Sequence, residues 1–472
     1  MTSMREQAGR AAERVLSSKR VLVVTHIDAD GICAAALASS LLDRAKIKHE
    51  VTFLKKLDSA AIETIKTQKP ETVWFTDFGS GAIPELSGLN AVIADHHVPA
   101  PSNPSAAARR DLVALAEALD GSDIPHVNPH LEGRDGGTDL SGAGATYLIG
   151  KEMTKSSAEL AHIAVVGAVG DLQDREGGLA GTNRAILEEA RKAGVIEVVK
   201  DISFFGRETR PLHKFLQYAS EPRLPGISGD EDACIRFLID AGVRLKEGES
   251  WRRWIDLSRG ERASLSSRLK GLLEDNGIKA ELEREVYVLP RETPGTPVHE
   301  AKEFATMLNS CGRYGKGDVA LRIAKGDRRE SYYAGLDLQD GHRRNLVDFL
   351  QVVRDIGVQR RGLLQYFNAD DMIAETVLGT VAGMALNSGL ADCGIPIFAF
   401  ARADDGVKVS ARGTRLLVEK GLDLSELMRL ASEKVGGKGG GHRVAAGATI
   451  PPGTEEAFLG AAEVILKKQM GG

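Results

Sequence analysis

Short apolar runs that end in polar residues alternate with helical stretches over the first part of the chain. Residues 5–19 carry the apolar spacing of an amphipathic helix, and RVLVVTH at 20–26 reads as a buried strand. A loop, IDADG, follows, and then an alanine- and leucine-rich helix, ICAAALASSLLDRA. The pattern repeats with a VTFL strand, an AAIETIK helix, and the strands TVWFTDF and AVIADHH. Strands alternating with helices predict a parallel sheet in an α/β domain. In such sheets ligands gather outside the carboxyl ends of the strands. His26, Asp77 and Asp95 all fall at such ends.

Further on, AELAHIAVVGAVGDL and TNRAILEEARKAG read as helices. The stretch 196–290 is rich in Arg, Lys and Glu and reads as a helical, charged insertion or lobe. PRETPGTP then reads as a linker. A second α/β unit is expected after it. Its elements would be a helix in HEAKEFATMLNSCGR, a strand in DVALRIAKG, a helix in RNLVDFLQVVRDIG and a strand pair in PIFAFARAD and GVKVSARG. The chain closes as helix, Gly-rich loop and strand, in LSELMRLASEKVGGKGGGHRVAAGATI. The expected division is 1–195, 196–290 and 296–472. The fold class is α/β, with a parallel-sheet domain, a smaller C-terminal α/β domain and the helical insertion between them.

Composition adjusts this picture only slightly. At 472 residues the chain is too long for one ordinary core. With 42% hydrophobic and 27% charged residues, disorder is not the default. A net charge of −5 does not advertise nucleic-acid binding, but a basic groove can sit on an acidic protein. Cys33, Cys234, Cys311 and Cys393 form no CxxC pair, which argues against a zinc or disulfide framework and fits a cytoplasmic protein. The first residues do not read as a secretory signal. The longest apolar candidate, from Ile373 to Leu390, contains Glu375 and Asn387 and reads as a buried helix, so no membrane span is expected.

Four segments carry chemistry: THIDADG with His26, Asp28 and Asp30; FTDFG with Asp77; ADHH with Asp95, His96 and His97; and GAVGD with Asp171. Singly each has an ordinary explanation, since Asp and Gly favour turns and Asp caps helices. Gathered at one sheet edge, these carboxylates and imidazoles would repel or stay unsatisfied without cations. Mixed carboxylate and imidazole donors suit Mn²⁺ or Mg²⁺, with Zn²⁺ a further candidate, better than a thiolate-loving metal. Two such ions about 4 Å apart can clamp a phosphodiester and acidify water. That arrangement needs one carboxylate shared by both ions, and Asp77 is the natural bridge.

In order and spacing these segments resemble the four phosphoesterase motifs of the DHH superfamily, and specifically its archaeal RecJ-like exonucleases. The resemblance extends through HVNPHLEGRDGG, SGAGATYL, EFATMLNSCGRYGKGDVAL and DGHRRNLVDFL. It implies that His26, Asp28 and Asp77 hold one divalent ion, and that Asp30, Asp77, His96 and Asp171 hold the other. Mn²⁺ is the first expectation for both, with Mg²⁺ as the substitute. His97 would contact the substrate phosphate, and Asp95 would orient the histidines. Asn128 and His130 are read evenly as rim contacts or as a turn, with Ser141 starting the next helix.

GGKGGGHRVAAG lies between a helix and an apolar strand, and its glycines could close backbone N–H groups on a phosphate. It resembles the GGGH motif of the DHH-associated domain, which makes Gly440, Gly441 and His442 substrate contacts. In KVSARGT, Ser410 and Arg412 alternate and so share one strand face. RecJ-like proteins carry a similar element, which favours a role in binding the strand. The implied function is a metal-dependent, single-strand-specific exonuclease on DNA or RNA, active in replication or repair. Its partners would be single-stranded nucleic acid, the GINS complex and a replicative helicase. Two rivals remain: a phosphodiesterase for short oligonucleotides or a cyclic dinucleotide, and a replication scaffold.

Overall fold

The computed structural model describes residues 3–99, 123–175 and 177–470. Its contacts divide the chain into two units, 1–339 and 340–472.

In the first unit, α1 (Met4–Leu16) leads into β1 (Arg20–His26). Five consecutive buried residues, Val21 to Thr25, make β1 a strand covered on both faces, as expected for a parallel sheet. It runs parallel to β2 (Lys48–Leu54) on one side and β3 (Thr72–Thr76) on the other. β4 (Ala91–Ala94) and β5 (His126–Val127) continue the parallel sheet in the order β2-β1-β3-β4-β5. The chain therefore crosses from one side of β1 to the other. The point where strand order reverses lies between β1 and β3, where α/β sheets open a crevice for ligands.

Helix α2 (Ala29–Ala45) is almost entirely buried, and its small alanines let it pack closely against the helices Gly142–Met153 and Ala161–Gly170. IDADG is not a loop throughout. Asp28 is the N-cap of α2, and Asp30 and Gly31 lie in its first turn. A methyl group on Gly31 would stand 2.5 Å from the His26 carbonyl oxygen, so strand end and helix start can meet only at a glycine.

The charged region forms a lobe with its own core. Strands β6 (Glu197–Ile202) and β9 (Glu283–Val288) pair antiparallel, and the small hairpin β7 (Lys246–Glu247) and β8 (Ser250–Trp251) lies between them in sequence. Helices Leu212–Gln217, Glu231–Asp240 and Arg259–Asp275 bury Phe215, Leu216, Trp254, Leu265 and Leu269 together. The division between units falls later than the Pro-rich stretch. Helices Ala301–Arg313 and Gly317–Ala324 place Phe304, Leu308, Ala320 and Ile323 in the first unit's core. DVALRIAKG is therefore helix rather than the expected strand. The buried positions of helix Gly317–Ala324, namely Gly317, Ala320, Ile323 and Ala324, follow helical spacing, which a short apolar run conceals.

The second unit is a mixed six-stranded sheet in the order β10-β11-β12-β13-β15-β14. The strands are β10 (Gln359–Arg361), β11 (Leu364–Asn368), β12 (Ile397–Ala403), β13 (Gly406–Arg412), β14 (Lys438–Gly441) and β15 (Ala445–Ile450). Helices Leu424–Glu433 and Glu455–Met470 cover the face carrying Phe398, Phe400, Val409 and Ala448. Helix Glu375–Ser388 packs on the opposite face, over Ile397, Ala399 and Ala401. The Gly-rich segment is not a free loop. Lys438–Gly441 is the edge strand of this sheet, paired antiparallel with β15. Among the described residues, no helix is long and apolar enough to cross a membrane.

Candidate metal centre

The four acidic and histidine segments converge at the carboxyl edge of the first sheet. β1 ends at His26, whose Nδ1 lies 2.7 Å from Asp28 Oδ2 and 3.7 Å from Asp77 Oδ2. Asp77 follows β3 at a backbone φ of 57°, a left-handed conformation that non-glycine residues adopt at a cost. That turn directs its carboxylate into the site. Asp77 is buried, and its Oδ1 has no hydrogen-bond partner. His96 Nε2 lies 3.3 Å from Asp77 Oδ1, 3.8 Å from Asp30 Oδ2 and 3.7 Å from Asp171 Oδ2.

Three overlapping groups could each hold a cation: His26, Asp28 and Asp77; Asp30, His96 and Asp171; and Asp77, His96 and His97. Within each, the donor atoms lie within 4.8 Å of one another. Asp77 belongs to two of them. The grouping of His97 with Asp77 and His96 goes beyond the phosphate contact expected from sequence.

The donors are held from behind. Asp30 accepts the Gly142 and Ala143 N–H groups, at 2.7 and 3.0 Å, from the start of a second helix. Helix starts favour negative charge, so this one supports the carboxylate where it is. His96 Nδ1 meets the Gly136 carbonyl at 2.8 Å, which leaves Nε2 facing the carboxylates. Asp95 accepts the Ser80, His96 and His97 N–H groups and the His97 ring, the last at 2.8 Å.

Charge repulsion among the carboxylates shows in their proton affinities. Burial, and then the neighbouring Asp30 and Asp28, push Asp77 well above the usual carboxylate range. Burial and the nearby Asp171 and Asp28 raise Asp30 to about 6, although His96 opposes this. Burial works against a charged His96, yet Asp171, Asp30 and Asp95 lift it to about 9. Partial desolvation works against a charged His97, yet Asp95, and then Asp77, lift this exposed ring to about 9. Asp95 itself lies far below the usual range because both histidines and its N–H donors outweigh its burial. A site that crowds carboxylates and imidazoles until they compete for protons fits divalent cations, which replace those protons.

Asn128 lies beneath the rim rather than on it. It is fully buried and donates to Ser80 Oγ and the His97 carbonyl, both within 2.9 Å. His130 is half-buried, and its burial lowers its pKa. Ser141 caps the next helix, as expected. The sequence reading missed Gln173. Its Nε2 donates to Asp171 Oδ2 at 2.8 Å, and Asn183 donates to its Oε1 at 2.6 Å. The only sequence signal was its place two residues after Asp171.

In the second unit, Ser410, Gly447 and Gly440 stand opposite one another across three adjacent strands. A methyl on Gly440 would meet nothing within 4 Å, so this part of the sheet face is open. Ser410 is buried, and Gly441 and His442 are exposed at the strand end and hairpin turn. Arg412 reaches over helix Glu375–Ser388 at Gly379, where a methyl would stand 2.2 Å from its guanidinium.

A parallel sheet with this donor set at its switch point, followed by a lobe and a mixed-sheet domain, is the architecture of a DHH phosphoesterase. The family models that match the chain are all of DHH type. Residues 20–167 match the DHH family, N-terminal domain, residues 204–285 the DHH-CID domain and residues 364–468 the DHHA1 domain. An uncharacterized protein of Methanocaldococcus jannaschii is 26% identical over 463 residues, covering 95% of this chain and 94% of its own length. The fold is that of RecJ from Thermus thermophilus in complex with Mn²⁺, with a TM-score of 0.59 at 17% identity over 98% of this chain. This chain spans 55% of that RecJ. CDC45 from Entamoeba histolytica matches at a TM-score of 0.65 and 11% identity, over 98% of this chain and 99% of its own.

Proposed function

We propose that this chain is a two-metal phosphodiesterase that shortens single-stranded DNA or RNA from an end. The observation that carries the reading is Asp77, buried, strained at its backbone and offering an unpartnered oxygen between two histidine-containing donor groups. His26, Asp28 and Asp77 would hold one ion, and Asp30, Asp77, His96 and Asp171 the other. When bound, divalent ions would polarise the phosphodiester and acidify the attacking water.

The chain's own residues supply the rest. Asp95 fixes the His97 ring through Nδ1 and raises its proton affinity, so the exposed ring is set to meet a substrate phosphate oxygen. Asn128 holds the His97 backbone from below. In the second unit, Ser410, Arg412 and Gly440, on a sheet face that is open at Gly440, with Gly441 and His442 at the strand end and turn, would bind the nucleotide backbone. There, N–H groups freed of side-chain bulk can approach phosphates. Mn²⁺ is the ion we would expect first, given imidazole donors and the Mn²⁺ complex of the structurally similar RecJ, with Mg²⁺ next. A reading as a binding protein draws on the near-complete match to CDC45. On that reading the lobe would take a protein partner, a GINS-type complex and its helicase being the candidates. The intact donor set favours an enzyme even so. Asp77→Ala should abolish strand shortening and remove Mn²⁺ binding; a variant that binds and cuts like the wild type would overturn the assignment.

A further inference from the structure

The first turn of α2 carries Asp28 and Asp30, and it is tied to a residue far along the chain. Asn309 Oδ1 accepts the Ala29 N–H at 2.8 Å. Ala29 is the first residue of α2, and its N–H is one of the donors that a helix start cannot satisfy internally. The Asp28 side chain is already engaged with the Gly31 N–H at 3.0 Å. Ala29 is completely buried, so losing Asn309 would leave its N–H without a partner at the root of the metal-type residues.

Asn309 does not act on a loose surface. Its helix, Ala301–Arg313, presses on the same segment a turn later. A methyl on Gly312 would lie 1.7 Å from the Ile27 carbonyl oxygen. A turn earlier, Ala305 packs beside Gly170, which precedes Asp171; a methyl there would lie 3.2 Å from the Ala305 Cβ and 2.7 Å from that of Ala29. The helix is anchored at its start as well. Glu300 caps it, and Glu303 accepts the Glu208 N–H at 2.8 Å. One rigid helix thus contacts both segments that bring Asp28, Asp30 and Asp171 to the centre.

We infer that Asn309 is a positioning residue for the metal centre, fixing the first turn of α2 so that Asp28 and Asp30 face Asp77. The inference rests on the two-ion reading above. Its effect reaches the ions through the backbone, so it should show in metal affinity and in turnover rather than in strand binding.

The test is a Mn²⁺ titration of the full chain, following the electron paramagnetic resonance signal of free Mn²⁺ below the melting temperature of each protein. Wild type, Asn309→Ala, Asn309→Asp and Asp77→Ala are compared, with kcat and KM on a single strand alongside. Asn309→Ala should weaken at least one site on the order of tenfold to a hundredfold, the range for losing a group that orients metal ligands. It should lower kcat and leave KM for the strand near that of the wild type. Asn309→Asp keeps an oxygen that can accept the Ala29 N–H, and should recover most of the loss. Wild-type Mn²⁺ binding by Asn309→Ala, or no recovery in Asn309→Asp, overturns the inference alone. Should Asn309→Ala fail to fold, Asn309→Asp decides: near-wild-type binding supports the inference, and a tenfold loss overturns it. A wild type that binds no Mn²⁺ sinks the two-ion reading and this inference with it.

Discussion

At the residue scale, the centre depends on close approaches that leave no room for one extra carbon. A methyl on Gly142 would lie 2.6 Å from Asp77 Oδ1, and the Gly142 N–H also supports Asp30 at 2.7 Å. Gly142→Ala should therefore weaken Mn²⁺ binding on the order of tenfold to a hundredfold while the chain still folds. Calorimetric titration beside a melting curve checks both halves. Away from the centre, buried Glu300 is raised to about 7 by its burial and by Glu303. The native state therefore keeps a proton that an unfolded glutamate, at 4.5, gives up. That contribution to stability is complete below the unfolded value and declines as pH rises through about 7. Unfolding free energies should fall in the wild type from pH 5 to 7 with a slope of up to about 1.4 kcal/mol per pH unit from this one proton, and level off above about 7. Glu300→Gln should flatten that part of the slope, and equal slopes would contradict the account. Asp28, Asp77 and the histidines were legible in the sequence because acids and imidazoles at strand ends are chemically conspicuous. Gln173 and Asn309 were not, and Asn128 was picked out as a rim contact or turn rather than as a buried support. Amides carry no such signature, and the partners of Asn128 and Asn309 lie far off in sequence.

At the scale of elements, strands were easier to anticipate than short helices. β1, β12 and β13 showed themselves through unbroken or paired apolar runs. Gly317–Ala324 did not, since eight residues of mixed apolar character satisfy either period until neighbours choose. The Gly-rich segment misled for another reason. Glycine predicts freedom, yet pairing with β15 makes Lys438–Gly441 an edge strand whose two central glycines do different work. At Gly439 a methyl would stand 2.6 Å from the Met428 carbonyl oxygen, whereas at Gly440 it would project into open space. Gly439→Ala should cost about 1–3 kcal/mol of stability through overpacking. Gly440→Val should leave the melting temperature nearly unchanged and weaken single-strand binding severalfold. Melting curves and fluorescence anisotropy on both variants separate the roles, and a Gly440→Val protein that binds strands normally would remove this face from the binding site.

For the whole molecule, the parallel first sheet and a second α/β unit were readable because alternation of strand and helix is a long-range pattern, whereas β10, β11 and β14 of the second sheet were not anticipated. Where the units divide was less readable. Helices Ala301–Arg313 and Gly317–Ala324 follow the Pro-rich stretch but complete the first core, and only tertiary packing reveals that. A chain of net charge −5 that binds nucleic acid must do so through local groups, so binding should weaken steeply with salt. The central claim is that Asp77 organises a metal centre that hydrolyses single strands. The measurement that tests it most directly is the length of end-labelled single-stranded DNA and RNA after incubation with Mn²⁺, for wild type beside Asp77→Ala. The account predicts progressive shortening by the wild type, abolished by chelation and by the substitution. Intact strands with the wild type in Mn²⁺ and Mg²⁺, or equal shortening by Asp77→Ala, would contradict it.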